Sequence, residues 1–362
     1  MGFKCGIIGL PNVGKSTLFN ALTKSDIPAE NFPFCTIDPN IGRVPLPDKR
    51  LIELNKIVNT EKIIPAVLDL VDIAGLVKGA ADGEGLGNSF LSNIREMSAL
   101  AHVVRCFDDE NITHVDGTVN PIRDIEVINL ELIFADLETI SKRITKCEKL
   151  LKTNDKDNKV QFDMLQHLKN ILENGSLIDL KNFNQEEIKL IKSFQLLSSK
   201  PTFFIGNIND SDLSKKHIEE VKKVAEELNT FVIPASIKIE QEISALGESE
   251  KLEYLELLEM DEPVINKIIF EGYKMLGLKT FFTAGPSEIR AWTIKNGFTA
   301  PNAAGVIHTD FEKGFIKAEV IDFDDFIKNN GELGAKENGK MRLEGKDYLV
   351  KDGDIIHFKF NV

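Results

Sequence analysis

The residues best suited to chemistry are a glycine-rich run near the N-terminus, Gly-Leu-Pro-Asn-Val-Gly-Lys-Ser-Thr at 9–17. This run fits G-x-x-x-x-G-K-[S/T], follows a short apolar stretch and precedes a stretch compatible with a helix. In such a loop the backbone N–H groups surround phosphate oxygens, Lys15 reaches the β- and γ-phosphates, and the Ser16 hydroxyl ligates Mg²⁺. The predicted phosphate contacts are Asn12, Val13, Gly14, Lys15, Ser16 and Thr17.

Two more segments can complete a magnesium site. Residues 72–75, Asp-Ile-Ala-Gly, close an apolar run, and Asp72 can hold the metal. Earlier in the chain, residues 31–36 end in Thr36, whose hydroxyl can complete the metal shell. This order of motifs is typical of GTPase-like switches, in which Mg²⁺ and the γ-phosphate hold two loops. Leu76 stands where Ras-like enzymes carry a water-orienting glutamine, so catalysis must come from elsewhere or be slow.

A third segment, Asn-Ile-Asn-Asp at 207–210, is placed to contact the base. GTPases read guanine with N-K-x-D, in which the aspartate accepts hydrogen bonds from the ring. Here Ile208 replaces the lysine, whereas Asp210 keeps a carboxylate. We predict that Asn207, Ile208 and Ser236 contact the nucleotide, with Ser236 in the last base-side segment.

The elements that must position these residues are short apolar runs separated by helical or loop stretches. The runs typical of buried parallel strands are 4–10, 66–71, 102–107, 202–207 and 231–235. Their alternation with helical stretches predicts an α/β P-loop domain with a doubly wound sheet. Ligands bind such sheets at the carboxyl ends of the strands, where the motifs fall.

An unusually long interval, about 94 residues, separates the third of these runs from the fourth. Apolar residues inside it recur at steps of four and three, the seam of a packed helix. The seam comprises Ile133, Leu137, Ile140, Ile144, Cys147 and Leu151, then Phe162, Leu165, Leu168 and Leu172. We predict an inserted antiparallel helical hairpin within about 124–198. Residues 141–170 hold 8 Lys+Arg against 4 Asp+Glu, which suits either a solvated face or a contact with RNA.

After Gly277 the sequence changes to short strand-like runs with turn signals between them. These runs are 280–283, 314–320, 347–350 and 355–360. They predict a second, mostly β domain at 278–361. The nucleotide-binding domain is expected at 3–256, and a connecting helical segment at 257–277.

Composition excludes several classes of function. A net charge of −13 argues against wholesale coating of nucleic acid, and we expect no sequence-specific DNA binding. We find neither a signal-peptide pattern nor an apolar run near the roughly 20 residues that span a bilayer, so we expect a cytoplasmic protein with no membrane partner. Four cysteines without paired metal spacing, Cys5, Cys35, Cys106 and Cys147, are predicted to be small buried hydrophobes.

Taken together, the motifs resemble the Obg-like ATPases of the YchF type over essentially the whole chain. The segments that carry the resemblance are 9–17, 31–40, 72–77, 83–88 and 102–107. The C-terminal part, with Arg-Ala-Trp-Thr at 290–293 and Lys-Gly-Phe-Ile at 313–316, is similar to a β-grasp, ubiquitin-like TGS domain.

This resemblance implies a slow ATPase that associates with the ribosome, through the large subunit or the 70S particle, using the helical hairpin and the C-terminal domain. The family is thought to use a histidine on a mobile loop in place of the glutamine, and the matching residue is His114. The implied partners are ATP and the ribosome, and the implied metal is Mg²⁺. Asn12 stands where several K⁺-stimulated GTPases carry an asparagine, so K⁺ is expected as well. The family usually has N-x-x-E, from which Asp210 departs.

Several classes of function remain open. The first is an ATP-hydrolysing switch, and its close alternative is an Obg-type GTPase in which Asp210 reads guanine. Another is a nucleotide-gated binding module without significant hydrolysis. A phosphotransferase is disfavoured, because we find no obvious acceptor-site acid after the phosphate loop.

Overall fold

The structure is a computed structural model that describes residues 3–23, 40–73, 88–109, 111–112, 114, 117–151 and 156–361. Contacts divide the described residues into two compact units. The first comprises residues 3–23, 40–42 and 70–261, and the second comprises 43–69 and 262–361. A segment from the N-terminal part of the sequence therefore belongs to the C-terminal unit.

The strands are β1 Lys4–Ile8, β2 Ile41–Pro45, β3 Ile63–Ile64, β4 Val67–Asp72, β5 Ala99–Arg105, β6 Thr202–Asn207, β7 Val232–Ala235, β8 Leu278–Ala284, β9 Ile289–Lys295, β10 Phe315–Ile321, β11 Arg342–Glu344 and β12 Ile355–Phe360. The helices are α1 Lys15–Thr23, α2 Lys49–Val58, α3 Asn88–Glu96, α4 Pro121–Leu151, α5 Lys156–Glu173, α6 Gln185–Phe194, α7 Asp212–Glu227, α8 Ile237–Ile243, α9 Glu248–Leu257, α10 Val264–Met275, α11 Ala300–Ile307, α12 Thr309–Lys313, α13 Phe323–Lys328 and α14 Glu332–Glu337.

The first sheet has the order β2-β4-β1-β5-β6-β7. Its strands β1, β5, β6 and β7 run parallel, with Ile8 opposite His102 and Arg105 opposite Asn207. All residues of β5 are buried, as expected for a central strand with both faces covered. The predicted α/β P-loop fold is confirmed, and its carboxyl edge gathers the loops that follow these strands.

The long interval between β5 and β6 contains the predicted helical hairpin. Helices α4 and α5 pack together with α6 around one apolar core. The seam residues Ile133, Ile140, Ile144 and Cys147 are buried in it, as are Leu165, Leu168 and Leu172. We call this hairpin, from the middle of α4 through α6, the helical arm.

The second unit is built on a sheet of order β11-β10-β12-β8-β9-β3. Its core includes Phe281, Ile294 and Phe358, packed against α11. The short strand β3 joins this sheet in parallel with β9, so the segment 43–69 is part of the second unit. This mixed sheet is the C-terminal domain that the sequence predicts, extended by one strand from elsewhere in the chain.

One residue of α2, Arg50, fixes that segment to the second sheet. Its guanidinium lies 2.7 Å from carboxylate oxygens of both Asp48 and Asp352, and 4.9 Å from the ring centroid of Phe282. Hydrogen bonds and charge from the two carboxylates raise the pKa of Arg50 against the opposing effect of burial. The contact therefore combines ion pairing with cation–π packing at one side chain.

The prediction of a strand at 347–350 is wrong. That segment forms an isolated bridge between Thr299 and Leu349 rather than a strand. The backbone N–H of Tyr348 donates to the carbonyl of Gly345 at 3.3 Å in a turn, and its hydroxyl donates to Asp354 at 2.7 Å. None of the predicted strands corresponds to β2, β3, β9 or β11.

Three of the four cysteines are described, and Cys5, Cys106 and Cys147 are all free and buried. Burial raises the pKa of Cys5 and of Cys106 to about 12, so both behave as small hydrophobes. Cys35 lies outside the described residues. In the part of the chain that the structure describes, no helix is long and apolar enough to cross a membrane.

A buried carboxylate joins the arm to the chain entering β6. Asp136 of α4 is fully buried, and it accepts from the backbone N–H of Leu197 at 2.9 Å and of Ser198 at 2.8 Å. The hydroxyl of Ser198 also donates to it, at 2.6 Å. Burial raises the pKa of Asp136, and these hydrogen bonds oppose that rise. The carboxylate thus satisfies two N–H groups that would otherwise be buried without acceptors.

The end of α3 is fixed to the same region by two cations. Lys200 donates to the carbonyl of Arg95 at 3.0 Å and also to that of Met97, and burial lowers the pKa of Lys200 to about 8. Arg95 in turn donates to the hydroxyl of Thr139 on α4 at 3.0 Å. We call Asp136, Lys200, Arg95 and Thr139 the arm junction.

We predict that Asp136→Ala loosens the arm junction selectively. Leaving two buried N–H groups without acceptors costs about 2 kcal/mol, so their hydrogen exchange should accelerate roughly 30-fold. Mass spectrometry of a peptide spanning 195–200 measures this. Asp163→Ala, at an exposed position of α5, is the control. Unchanged exchange in Asp136→Ala would contradict the assignment.

Candidate nucleotide site

The phosphate loop connects β1 to α1 and depends on two glycines. Gly9 has φ of 144°, and a Cβ there would lie 2.4 Å from the carbonyl oxygen of Val103. Gly14 has φ of 105°, and a Cβ would lie 2.7 Å from Nδ2 of Asn207. Any side chain at either position would strain the backbone and collide with a neighbour. The loop is therefore packed tightly against β5 and β6.

The lysine that sequence analysis assigned to the phosphates is buried inside this loop. The ammonium group of Lys15 donates to the carbonyl of Leu10. Burial lowers the pKa of Lys15 to about 8, and the nearby charge of Asp72 opposes that effect. A buried cation that uses a neutral carbonyl as acceptor is well prepared to exchange it for a phosphate oxygen.

Two of the three predicted magnesium ligands are described, and their chemistry fits the ion. Ser16 is exposed at the start of α1, and Asp72 is buried at the end of β4. A hydroxyl and a carboxylate are the hard oxygen ligands that Mg²⁺ prefers. The third predicted ligand, Thr36, lies outside the described residues, as does Leu76.

Asn207, at the end of β6, ties the phosphate loop to the base-side segment. Its Nδ2 donates to the carbonyl of Val13 at 3.0 Å, and its Oδ1 accepts from the N–H of Ile237 at 3.3 Å. An amide group is required for this bridge, because one end must donate and the other accept. Sequence analysis predicted the residue as a nucleotide contact, and the structure shows it as a brace behind the loop.

Three residues of the predicted base-side segments, Ile208, Asp210 and Ser236, are described. Ile208 is half-buried and packs partly against the apolar cluster of β5, α4 and α7, whereas Asp210 is exposed. Ser236 is half-buried at the N-terminal cap of α8, and its side chain makes no capping bond in the described structure. All three residues follow closely on the ends of β6 and β7 in the chain.

His114, the proposed replacement for the glutamine, is buried. Its Nε2 lies 3.0 Å from Oδ2 of Asp124 in the first turn of α4, and the two side chains are 4% and 2% exposed. Because α4 begins at the carboxyl edge of the sheet, this pair lies on the same side of the first unit as the phosphate loop. Sequence analysis named the histidine but not its carboxylate partner.

A buried arginine shapes the chain that leads to His114. Arg105, the last residue of β5, donates to the carbonyls of Phe107 at 3.0 Å, Ile112 at 3.0 Å and Asp109 at 3.2 Å. Its guanidinium also lies 4.8 Å from the ring centroid of Phe107. Arg105 was not predicted as a site residue, although an arginine at the end of an otherwise apolar strand is a signal in the sequence.

The fold and the site define a P-loop nucleoside triphosphatase, and comparisons with known proteins agree. Residues 4–136 match the family model described as 50S ribosome-binding GTPase. Residues 278–361 match the YchF GTPase C-terminal model, described as a protein of unknown function (DUF933).

Full-length relatives narrow the class to a single family. The chain is 53% identical to the ribosome-binding ATPase YchF of Pasteurella multocida and 50% identical to that of Bacillus subtilis, covering 100% of each chain. The solved YchF GTPase of Schizosaccharomyces pombe is 37% identical, with a TM-score of 0.90 over 99% of this chain and 98% of that one. The chain belongs to the YchF family.

We predict that Lys15→Ala abolishes measurable binding of Mg²⁺-triphosphate. Loss of a buried charged contact to phosphate costs at least about 3 kcal/mol, or more than about 100-fold in affinity. Ser16→Ala should weaken binding only when Mg²⁺ is present, which titrations with and without EDTA would measure. Lys4→Ala, at the partly exposed ion pair with Glu96, is the control. Unchanged affinity in both variants would contradict the phosphate site.

Proposed function

We propose that this protein is an ATP-binding switch that hydrolyses ATP slowly and associates with the ribosome. The observation that carries the proposal is the preformed phosphate loop, with Lys15 buried inside it and Asn207 bracing it. Full-length similarity to relatives that are named ribosome-binding ATPases supports the choice of nucleotide and partner. Hydrolysis would release ADP and phosphate.

In this proposal Lys15 orients the β- and γ-phosphates, while Ser16 and Asp72 hold Mg²⁺. The bound Mg²⁺ supplies charge neutralisation between the phosphates. K⁺ is proposed as a second cofactor near Asn12, which is exposed in the loop with φ of 62° and carries an amide oxygen suited to a cation. Positive charge there compensates for the absent glutamine.

The proposed catalytic residue is His114, and this is the central test of the function. We predict that His114→Ala lowers turnover at least about tenfold while leaving ATP affinity unchanged, because the imidazole acts only in the transition state. Release of phosphate, measured with purified ribosomes in KCl and in NaCl, follows both the histidine and the K⁺ effect. His167→Ala, an exposed histidine on α5, is the control. Wild-type turnover in His114→Ala would remove the histidine from the mechanism.

Adenine is the proposed base, and the alternative is guanine. Guanine selectivity needs a carboxylate facing the ring N–H and amino groups, and Asp210 is exposed and chemically able to serve. However, Ile208 replaces the lysine whose stem lies along the base in GTPases, and it packs partly into the protein core. Adenine has no N1–H group that could donate a hydrogen bond to the carboxylate.

We predict that ATP binds more tightly than GTP. Competition titrations on the wild type and on Ile208→Lys measure the preference, and the lysine should shift it towards GTP by about tenfold if its stem packs along guanine. Asp210→Asn distinguishes recognition of adenine from recognition of guanine, because it should leave ATP affinity unchanged. A wild type that already prefers GTP, and loses that preference in Asp210→Asn, would establish the GTPase alternative.

The helical arm is the proposed RNA contact, although one of its basic residues is unsuited to the role. Arg143 stacks on Phe194 with 5.3 Å to the ring centroid and donates to the carbonyl of the same residue at 3.3 Å. It is a packing residue, so a charge reversal there would disturb the arm itself. Lys142, Lys146 and Lys149 are exposed on the same helix.

We predict that replacing Lys142, Lys146 and Lys149 with glutamate weakens association with purified ribosomes. The slope of log affinity against log salt is negative because binding releases counterions. Each lost phosphate contact should reduce the magnitude of this slope by about 0.7 to 0.9. Co-sedimentation over a salt series measures this. The same replacement of Lys215, Lys216 and Lys222 on α7 is the control. Equal effects of the two triple variants would move the contact away from the arm.

A further inference from the structure

The position of His114 raises a problem for its proposed role. A residue that acts at the γ-phosphate must reach a solvent-filled nucleotide site, but the His114 side chain is 4% exposed. Its imidazole faces Asp124, which is 2% exposed, at an Nε2 to Oδ2 distance of 3.0 Å. The described conformation is therefore one in which the histidine is withdrawn from solvent.

The partner carboxylate is fixed more firmly than the histidine. Asp124 lies in the first turn of α4, and its backbone N–H donates to the carbonyl of Asn120 at 3.0 Å. The next residues on the inner face of that helix, Ile125 and Ile128, are buried, with Ile125 in the cluster that packs on β5 and β6. The Asp124 side chain is therefore carried by a helix that is packed on the sheet.

The chain before His114 is also anchored. Arg105 holds the carbonyls of Phe107, Asp109 and Ile112, so the segment up to two residues before the histidine is bonded to the end of β5. With the chain before the histidine anchored, the contacts of the ring itself help to set the place of the imidazole. A hydrogen bond to a carboxylate is among the stronger contacts available to a ring nitrogen.

We propose that Asp124 is a positioning residue that holds His114 in a withdrawn resting position, and that hydrolysis requires this hydrogen bond to break. The inference rests on the proposed function for its consequence on turnover. Asp124 does not touch the nucleotide in this scheme. It sets the fraction of molecules in which His114 is available, and so limits hydrolysis before the ribosome or the nucleotide shifts the balance.

Chemical labelling tests the position independently of activity. Diethyl pyrocarbonate acylates accessible imidazole nitrogens, and mass spectrometry reports the rate at each histidine. In the wild type His114 should react at least about tenfold more slowly than His308 and His357, which are exposed at 61% and 60%. It should resemble the buried His102 and His217. Labelling of His114 as fast as the exposed pair would overturn the proposal without any variant.

The variant Asp124→Asn tests the restraint. Asparagine keeps an acceptor of the same shape but loses the charge, so the bond to the imidazole N–H weakens and labelling of His114 should accelerate about fivefold. Asp157→Asn, which removes an exposed carboxylate from the first turn of α5, is the matched control and should leave the rate unchanged. No acceleration in folded Asp124→Asn would refute the restraint.

Turnover then distinguishes whether Asp124 restrains His114 or orients it for catalysis. Without ribosomes, Asp124→Asn should raise kcat about fivefold at unchanged KM for ATP, and the double variant with His114→Ala should show no rise. A fall in kcat would mean that Asp124 orients the histidine for catalysis, which contradicts the proposal. A rise that survives in the double variant would show that Asp124 acts through another group. If His114→Ala alone has wild-type turnover, the proposed catalytic role fails, whereas the labelling rates still decide the resting position.

Discussion

The amide of Asn207 is the contact on which the nucleotide site depends. It donates to the carbonyl of Val13 in the phosphate loop and accepts from the N–H of Ile237 at the start of α8. Parallel strands bring loops to one edge of a sheet but do not fix the loops relative to one another. A single side chain with one donor end and one acceptor end does so here, and a Cβ on Gly14 would collide with it.

Four charged side chains elsewhere in the first unit form most of their described hydrogen bonds with backbone groups. Lys15 uses a carbonyl of its own loop, Arg105 uses three carbonyls, and Lys200 uses two at the end of α3. Asp136 uses two N–H groups in the mirror arrangement. Such bonds position irregular chain segments, which lack ladder hydrogen bonds of their own. For Lys15 the same arrangement leaves its positive charge ready for an anion.

The sequence predicted those parts of the fold that are encoded locally. The phosphate loop and the arm seam can be recognised from residue spacing, because glycine positions and a helical repeat are properties of short stretches of sequence. The assignment of 43–69 to the second unit rests on contacts such as that of Arg50 with Asp352, about 300 residues away in sequence, and no local pattern encodes such contacts. The contact of His114 with Asp124 was not predicted for a related reason. An aspartate in the first turn of a helix is already explained by its favourable interaction with the helix dipole, so it does not by itself indicate a histidine partner.

Helix α4 gives these separate contacts a common frame. Its 31 residues form one continuous helix, about 45 Å long, with Asp124 in the first turn, Asp136 in the middle and the exposed lysines towards the far end. Because its first half is packed on the sheet and its middle is held by the arm junction, a force applied at the far end meets Asp136 before it reaches Asp124. Displacing the arm without breaking the bonds to Leu197 and Ser198 must therefore either move the entrance to β6, which leads to Asn207, or bend the helix. The stiffness of α4 and the bonds of Asp136 together determine whether motion of the arm can reach the site at all.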